Sequence, residues 1–159
     1  RKKYYRDEPN GIDSYPFDVR KLDEDLKQIK RKYNFIIIDS PPSITYDTIQ
    51  IVKSSDKVFV PVQPSPLDLM ATVPFLNLVK QERKKTTVIL NRVMPRAKLT
   101  DAMIIRLRYA GAKIARSRIS GRIIYAETFS VGRGVVDISV TSEASKEIIK
   151  VGNEILRNF

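Results

Sequence analysis

A chain of 159 residues with 42% hydrophobic content and a formal charge of +11 is long enough for one domain with a real core. It contains no Cys and no His, which excludes disulfides, thiolate chemistry, the commonest metal ligand and the usual general base at neutral pH. No apolar run approaches the roughly 20 residues a membrane helix needs, so no membrane partner is expected, and chemistry must rest on carboxylates, hydroxyls, backbone amides or a borrowed cofactor.

Residues 1–16 are polar, carry the turn signal Pro9-Asn10-Gly11 and read as a loop or connection. With neither a Met nor a signal-peptide core, Arg1 reads as an internal start. From Val19 the apolar positions Val19, Leu22, Leu26, Ile29 and Tyr33 recur at helical spacing, with Asp18 as N-cap. The unbroken apolar run Phe35 to Ile38, ending at Asp39, predicts a strand buried on both faces, as in a parallel sheet covered by helices. A helix from about Tyr46 to Lys53 leads to a second strand, Val58 to Val62, with Pro61 at its end or at a bulge. Pro64-Ser65-Pro66 opens a helix that Pro74 should kink or divide. A third strand covers Thr87 to Leu90, a helix runs from about Leu99 to Tyr109 and closes at Gly111, and Lys113 to Ile119 reads as a fourth, more polar strand. The last helix starts near Glu143 behind the cap Ser142. The alternation predicts an α/β fold, a mostly parallel twisted sheet flanked by helices, with its ligand site beyond the carboxyl ends of the strands.

The charge is concentrated. Between Val79 and Arg122 there are 13 basic residues against Glu82 and Asp101, so this segment carries the whole +11. Such a stretch is either a solvated basic surface or the footprint of polyanion binding through counterion release, and the second reading is preferred because the segment contains folded elements.

Four apolar residues followed by an acid have the form of a Walker B strand, which holds a carboxylate for Mg²⁺; an Asp in that place is equally a helix cap or turn residue. The residues after Asp39 shift the balance toward the first. The stretch FIIIDSPPS, Phe35 to Ser43, resembles the hhhhDxPP Walker B and switch region of the ParA/MinD superfamily of deviant-Walker P-loop partition ATPases. Val60 to Asp68, with its PSPLD form, is especially similar to the short ParF-type plasmid partition proteins. Leu90-Asn91-Arg92 matches the family's hNR strand end, and Arg122 to Glu127 with Gly132 to Val136 match a later segment. The ordered matches span nearly the whole chain.

The resemblance implies a bacterial, cytoplasmic, nucleoid-associated DNA-segregation ATPase that dimerises on ATP and binds non-specific DNA. It also implies hydrolysis stimulated by a centromere-binding adaptor protein, and a homodimer that in some members extends to a higher-order polymer. Carried over by residue, Asp39 serves Mg²⁺ and Ser40, Pro41 and Pro42 belong to the γ-phosphate switch. Asn91 lies near the adenine, and Arg92 stacks or pairs beside it. Asp68 is expected to cap the following helix. Arg96, Lys98, Arg106, Arg108, Arg116, Arg118 and Arg122 are the DNA-facing candidates, acting on phosphates without reading bases.

One departure from the family stands out. The deviant Walker A, K-G-G-x-G-K-[ST], is not found, since the six glycines (Gly11, Gly111, Gly121, Gly132, Gly134, Gly152) form no P-loop. The chain is therefore expected to be a single partial P-loop NTPase-like domain, 17–159 running from Walker B to the C-terminal helix, without the N-terminal P-loop strand and helix. It is then expected to expose an unpaired sheet edge and to be inactive alone. Two alternatives remain, a catalytically inactive basic α/β module binding DNA or a partition partner, and a MinD-like division-site regulator. The balanced charges of the closing helix, Glu143, Glu147 and Glu154 against Lys146, Lys150 and Arg157, weigh against the second.

Overall fold

The computed structural model describes residues 13–95 and 98–157. A 3₁₀ turn, Val19–Lys21, opens helix α1, Leu22–Ile29, and helix α2 spans Tyr46–Ser54. Then strand and helix alternate through β1 (Lys57–Val62), α3 (Pro66–Gln81), β2 (Lys85–Leu90), α4 (Lys98–Tyr109) and β3 (Lys113–Ile114). Helices α5 (Ile124–Ser130), α6 (Val135–Ile138) and α7 (Glu143–Leu156) complete the described chain. The sheet is parallel and ordered β1-β2-β3, with Val62 opposite Leu90 and Val88 opposite Ile114. This is the expected α/β architecture, and its sheet carries helices on both faces.

The side-chain alternation of β2 builds two cores at once. Val88 and Leu90 pack with Val62, Leu76, Met103, Ile104 and Leu107 under α3 and α4. On the opposite face Ile89 joins Ala115 and Val151 under α7, with Phe59, Ile119 and Ile155 at the margin. A third cluster, Leu22, Leu26 and Ile51, joins α1 to α2. Asp18 accepts the Arg20 N–H at 3.0 Å, Thr45 and Ser142 cap α2 and α7, and Gly111 ends α4 with φ +81.

Three local expectations are corrected. Phe35 to Ile38 is not a buried strand. It belongs to no sheet among the described residues; Ile36 and Ile38 pack against the α1–α2 cluster, while Ile37 is 94% exposed. Two alternate isoleucines have found a face to cover, and Ile37 between them faces solvent. Pro74 does not divide its helix. It lies on the exposed side of the continuous α3, where a lost backbone hydrogen bond faces water. The fourth strand shrinks to Lys113–Ile114 because a side chain replaces the ladder. The N–H groups of Arg116 and Ser117 donate to the Glu154 carboxylate at 2.8 Å each, and backbone pairing resumes only where the Ile119 N–H reaches the Leu90 carbonyl at 2.9 Å. Pro61 sits inside β1, opposite Ile89, tolerated because β1 is an edge strand of this sheet.

Candidate nucleotide site and basic surface

The carboxyl ends of the strands converge on two short connections. After β1, the Gln63 N–H donates to Asp68 Oδ2 at 2.9 Å, the Ser65 hydroxyl donates to Asp68 Oδ1 at 3.0 Å, and the Asp68 N–H returns to Ser65 Oγ at 3.1 Å. With Pro66 at the first helical position, this reciprocal cap fixes how the chain leaves the sheet and enters α3. The cap of α3 is therefore Ser65 and not Asp68, whose carboxylate inside the first turn instead accepts the Gln63 N–H and the Ser65 hydroxyl.

After β2, the Asn91 N–H donates to the Val62 carbonyl at 2.9 Å, so Asn91 still follows the sheet, and its side-chain Oδ1 accepts the Arg92 N–H at 2.9 Å. Arg92 has φ +52, a left-handed conformation that costs a non-glycine residue of order 1 kcal/mol and is worth noting at a strand's end. The turn is held from outside. The Val93 N–H donates to the Ile119 carbonyl at 2.9 Å, the Gly121 N–H donates to the Val93 carbonyl at 3.0 Å, and Val93 and Ser120 form a parallel bridge. Gly121 lies close to this turn: a Cβ on it would stand 3.1 Å from the Met94 sulfur, at the end of a flexible side chain, and in ordinary contact with the Arg92 carbonyl oxygen at 3.5 Å.

Asp39, Ser40, Pro41 and Pro42 are all exposed, in no regular element, and lead through Thr45 into the first turn of α2. Among the described residues no hydrogen bond or ion pair joins this stretch to Asn91 and Arg92, and no group of three acidic side chains converges as a metal cage. In nucleotide sites Mg²⁺ is held by one or two carboxylates, with waters and phosphate oxygens completing the octahedron. Asp39, an exposed carboxylate at the end of its apolar run, has the donor chemistry for it.

The basic candidates divide. Lys98, Arg106 and Arg108 are exposed on α4, whose other side buries Met103, Ile104 and Leu107. Arg116 and Arg118 lie in the segment after β3, both exposed. Arg122 is different. Its Nη2 lies 2.9 Å from Glu147 Oε1, an ion pair that raises its pKa and ties its guanidinium to α7. Arg96 lies outside the described residues.

Glu147 is, by sequence, one surface charge among several on the closing helix. In the structure its side chain is only 18% exposed. Oε2 accepts the Ser120 N–H and the Tyr125 hydroxyl, both at 2.9 Å, and Oε1 accepts the Ser120 hydroxyl at 2.8 Å as well as Arg122. Burial alone would raise its pKa; the donors from Arg122, Ser120 and Tyr125 outweigh it and hold the carboxyl at about 2. Burial and the same carboxylate push the Tyr125 phenol well above its ordinary value. The signal in the sequence is spacing. Glu147 and Glu154 are seven apart, two turns along the helix side that also carries Ala144 and Val151.

Comparison with known proteins fits this architecture. A family profile described as "AAA domain" matches residues 12–92, just over half of the chain. Maintenance of carboxysome distribution protein A of Halothiobacillus neapolitanus is 28% identical over 140 residues, covering 84% of this chain and 65% of that protein. Sporulation initiation inhibitor protein Soj of Bacillus subtilis is 26% identical over 146 residues, covering 87% of this chain and 58% of that one. Among solved structures, the cell division ATPase MinD of Pyrococcus furiosus superposes with a TM-score of 0.75 at 23% identity, covering 89% of this chain and 60% of MinD. A ParA family ATPase from Chlorobium tepidum gives 0.71 at 20%, covering 87% of this chain and 57% of its own. This chain spans less than two thirds of the length of each of these relatives.

Proposed function

Because this chain belongs to the AAA-domain family, within the ParA/MinD superfamily of partition and division ATPases, we propose that its full-length protein is a DNA-segregation ATPase of ParA type. The observation that carries this reading is that the matched residues, 12–92, include both the FIIIDSPPS stretch around Asp39 and the Asn91–Arg92 turn at the end of β2. In this reading Asp39 serves Mg²⁺, whose bound form neutralises phosphate charge. Ser40, Pro41 and Pro42 form the connection to α2 that responds to the γ-phosphate. Asn91 presents an amide able to donate and accept in one plane to the edge of the adenine, and Arg92 lies beside it. ATP drives formation of a homodimer in the cytoplasm, which binds nucleoid DNA without sequence preference and is discharged by an adaptor protein bound to the cargo's centromere. Among the described residues no helix is long and apolar enough to cross a membrane.

Lys98, Arg106, Arg108, Arg116 and Arg118 supply the cations for DNA phosphates, whereas phosphates must displace Glu147 to engage Arg122. The test is titration of the full-length protein with fluorescent Mg·ATP, combined with hydrolysis assays. Asp39→Ala is expected to stay folded and to lose turnover by at least about a hundredfold, the loss of a principal phosphate-charge stabiliser. Normal turnover in that variant sinks the Walker B role. In the same preparation, Arg116→Glu with Arg118→Glu is expected to weaken DNA binding and reduce the salt slope by about one per lost phosphate contact. An unchanged slope moves the DNA surface elsewhere.

A further inference from the structure

We propose that Glu147 of α7 is a positioning residue for the base-side turn Asn91–Arg92, holding it through Ser120 and Gly121; the inference rests on the nucleotide reading of Asn91. The chain of contact is short and continuous. Five donors from three residues, Ser120, Arg122 and Tyr125, converge on the one Glu147 carboxylate. The Tyr125 hydroxyl also lies 3.1 Å from the Ala144 carbonyl of the same helix, so the segment 120–125 is fastened to α7 at both ends. Ser120 and Gly121 are in turn the residues that bridge to Val93. Gly121 packs closely against Met94 and the Arg92 carbonyl.

The turn gains from being held. Arg92 occupies a left-handed conformation that its own side chain does not favour, and such a conformation persists only where the surroundings determine it. Within the turn itself, the Asn91 side-chain oxygen is fixed by the Arg92 N–H. Further restraint comes through residues 119–121, whose own anchors are the Leu90 and Val93 carbonyls on one side and Glu147 on the other. A carboxylate held near pKa 2 stays ionised across the physiological range, so the anchor does not loosen with ordinary pH changes.

Glu154 provides the internal control. It belongs to the same helix, and it accepts two backbone N–H groups, but those of Arg116 and Ser117, outside the residues that bridge to Val93. A loss of stability shared by both variants is therefore separable from a loss of base positioning peculiar to Glu147.

The experiment measures kcat and KM for ATP and for GTP with the full-length protein and with Glu147→Ala, Glu147→Gln and Glu154→Ala. The variants are first compared by circular dichroism. Glu147→Ala is expected to raise KM for ATP about tenfold, to leave kcat within about twofold, and to narrow the preference for ATP over GTP. Glu147→Gln keeps one acceptor oxygen and should fall in between, which preserves a readout if the alanine variant does not fold. Glu154→Ala should leave KM and the ATP:GTP ratio unchanged. An unaltered KM and ratio in folded Glu147 variants, or equal changes in the Glu154 variant, overturns the inference while leaving the nucleotide reading intact. Failure of the unsubstituted protein to bind either nucleotide overturns both.

Discussion

Phe35–Ile38 and β2 are both short apolar runs with a polar residue after them, yet they end in opposite environments. In β2, Val88 and Leu90 have no solvent exposure and Ile89 has 7%. In the earlier run, Phe35 is 54% exposed and Ile37 is 94% exposed. The difference lies in what surrounds each. β2 has a parallel neighbour on both edges, α3 and α4 over one face and α7 over the other. Residues 35–38 have α1 and α2 on one side and no strand partner among the described residues. Composition sets how well a strand can be buried, and neighbours decide whether it is.

The sharpest way to break this comparison is to truncate one side chain from each run. Leu90→Ala empties a fully buried site facing Val62, Leu76 and Leu107 and is expected to cost about 3 kcal/mol in urea unfolding. Ile37→Ala should stay within about 0.5 kcal/mol, as for other exposed positions. A large loss from Ile37→Ala in this same chain means that the run is covered in solution, and the contrast drawn between the two regions fails.

Much of the fold is legible in the sequence because helical periodicity and capping are local. Asp18, Thr45, Ser65 and Ser142 each cap the helical turn that comes after them, and the α3–β2–α4 succession tracks the apolar pattern. The departures share a cause of the other kind. Whether 35–38 pairs, and whether 115–119 continues a strand, depends on groups far away in sequence. For the second segment that group is Glu154, 37 and 38 residues from the N–H donors it takes. Of the candidate site, the positions of Asn91 and Asp39 after apolar runs can be read directly. The support of the Asn91 turn by Glu147 cannot, because a glutamate on an amphipathic helix looks like a surface charge until its partners are known.

The densely bonded region should also respond to acid where the N-terminal run 35–38 does not. Glu147 has a carboxyl at about 2 in the folded protein against an ordinary value of 4.5, so its contribution is fully present above about pH 4.5 and is lost as pH falls toward 2. Glu154 shifts in the same direction; burial opposes its shift, and the Arg116 and Ser117 N–H groups prevail. A Tm profile between pH 5 and 2 should therefore fall, and Glu147→Gln should flatten that fall while lowering Tm at pH 7. An identical slope in the variant means that other carboxylates dominate the acid transition.

A modest gain in stability, rather than a loss, tests how well β2 is enclosed. Thr87 is 2% exposed, and its hydroxyl has no hydrogen-bond partner among the described residues; it lines a small cavity on the α7 face with Phe59, Ile89, Ala115, Val151, Ile155 and Glu154. A buried hydroxyl without a partner costs about 1–3 kcal/mol of desolvation, part of which a bound water recovers where there is room for one. Replacing Thr87 by Val keeps the shape and the β-branching and removes the hydroxyl, so the variant should be more stable by about 1 kcal/mol in urea unfolding. Destabilisation by a similar amount would mean that the hydroxyl is satisfied in solution by water entering beneath α7. The face that looks closed would then be open at that point, and the contrast with residues 35–38 would become one of degree.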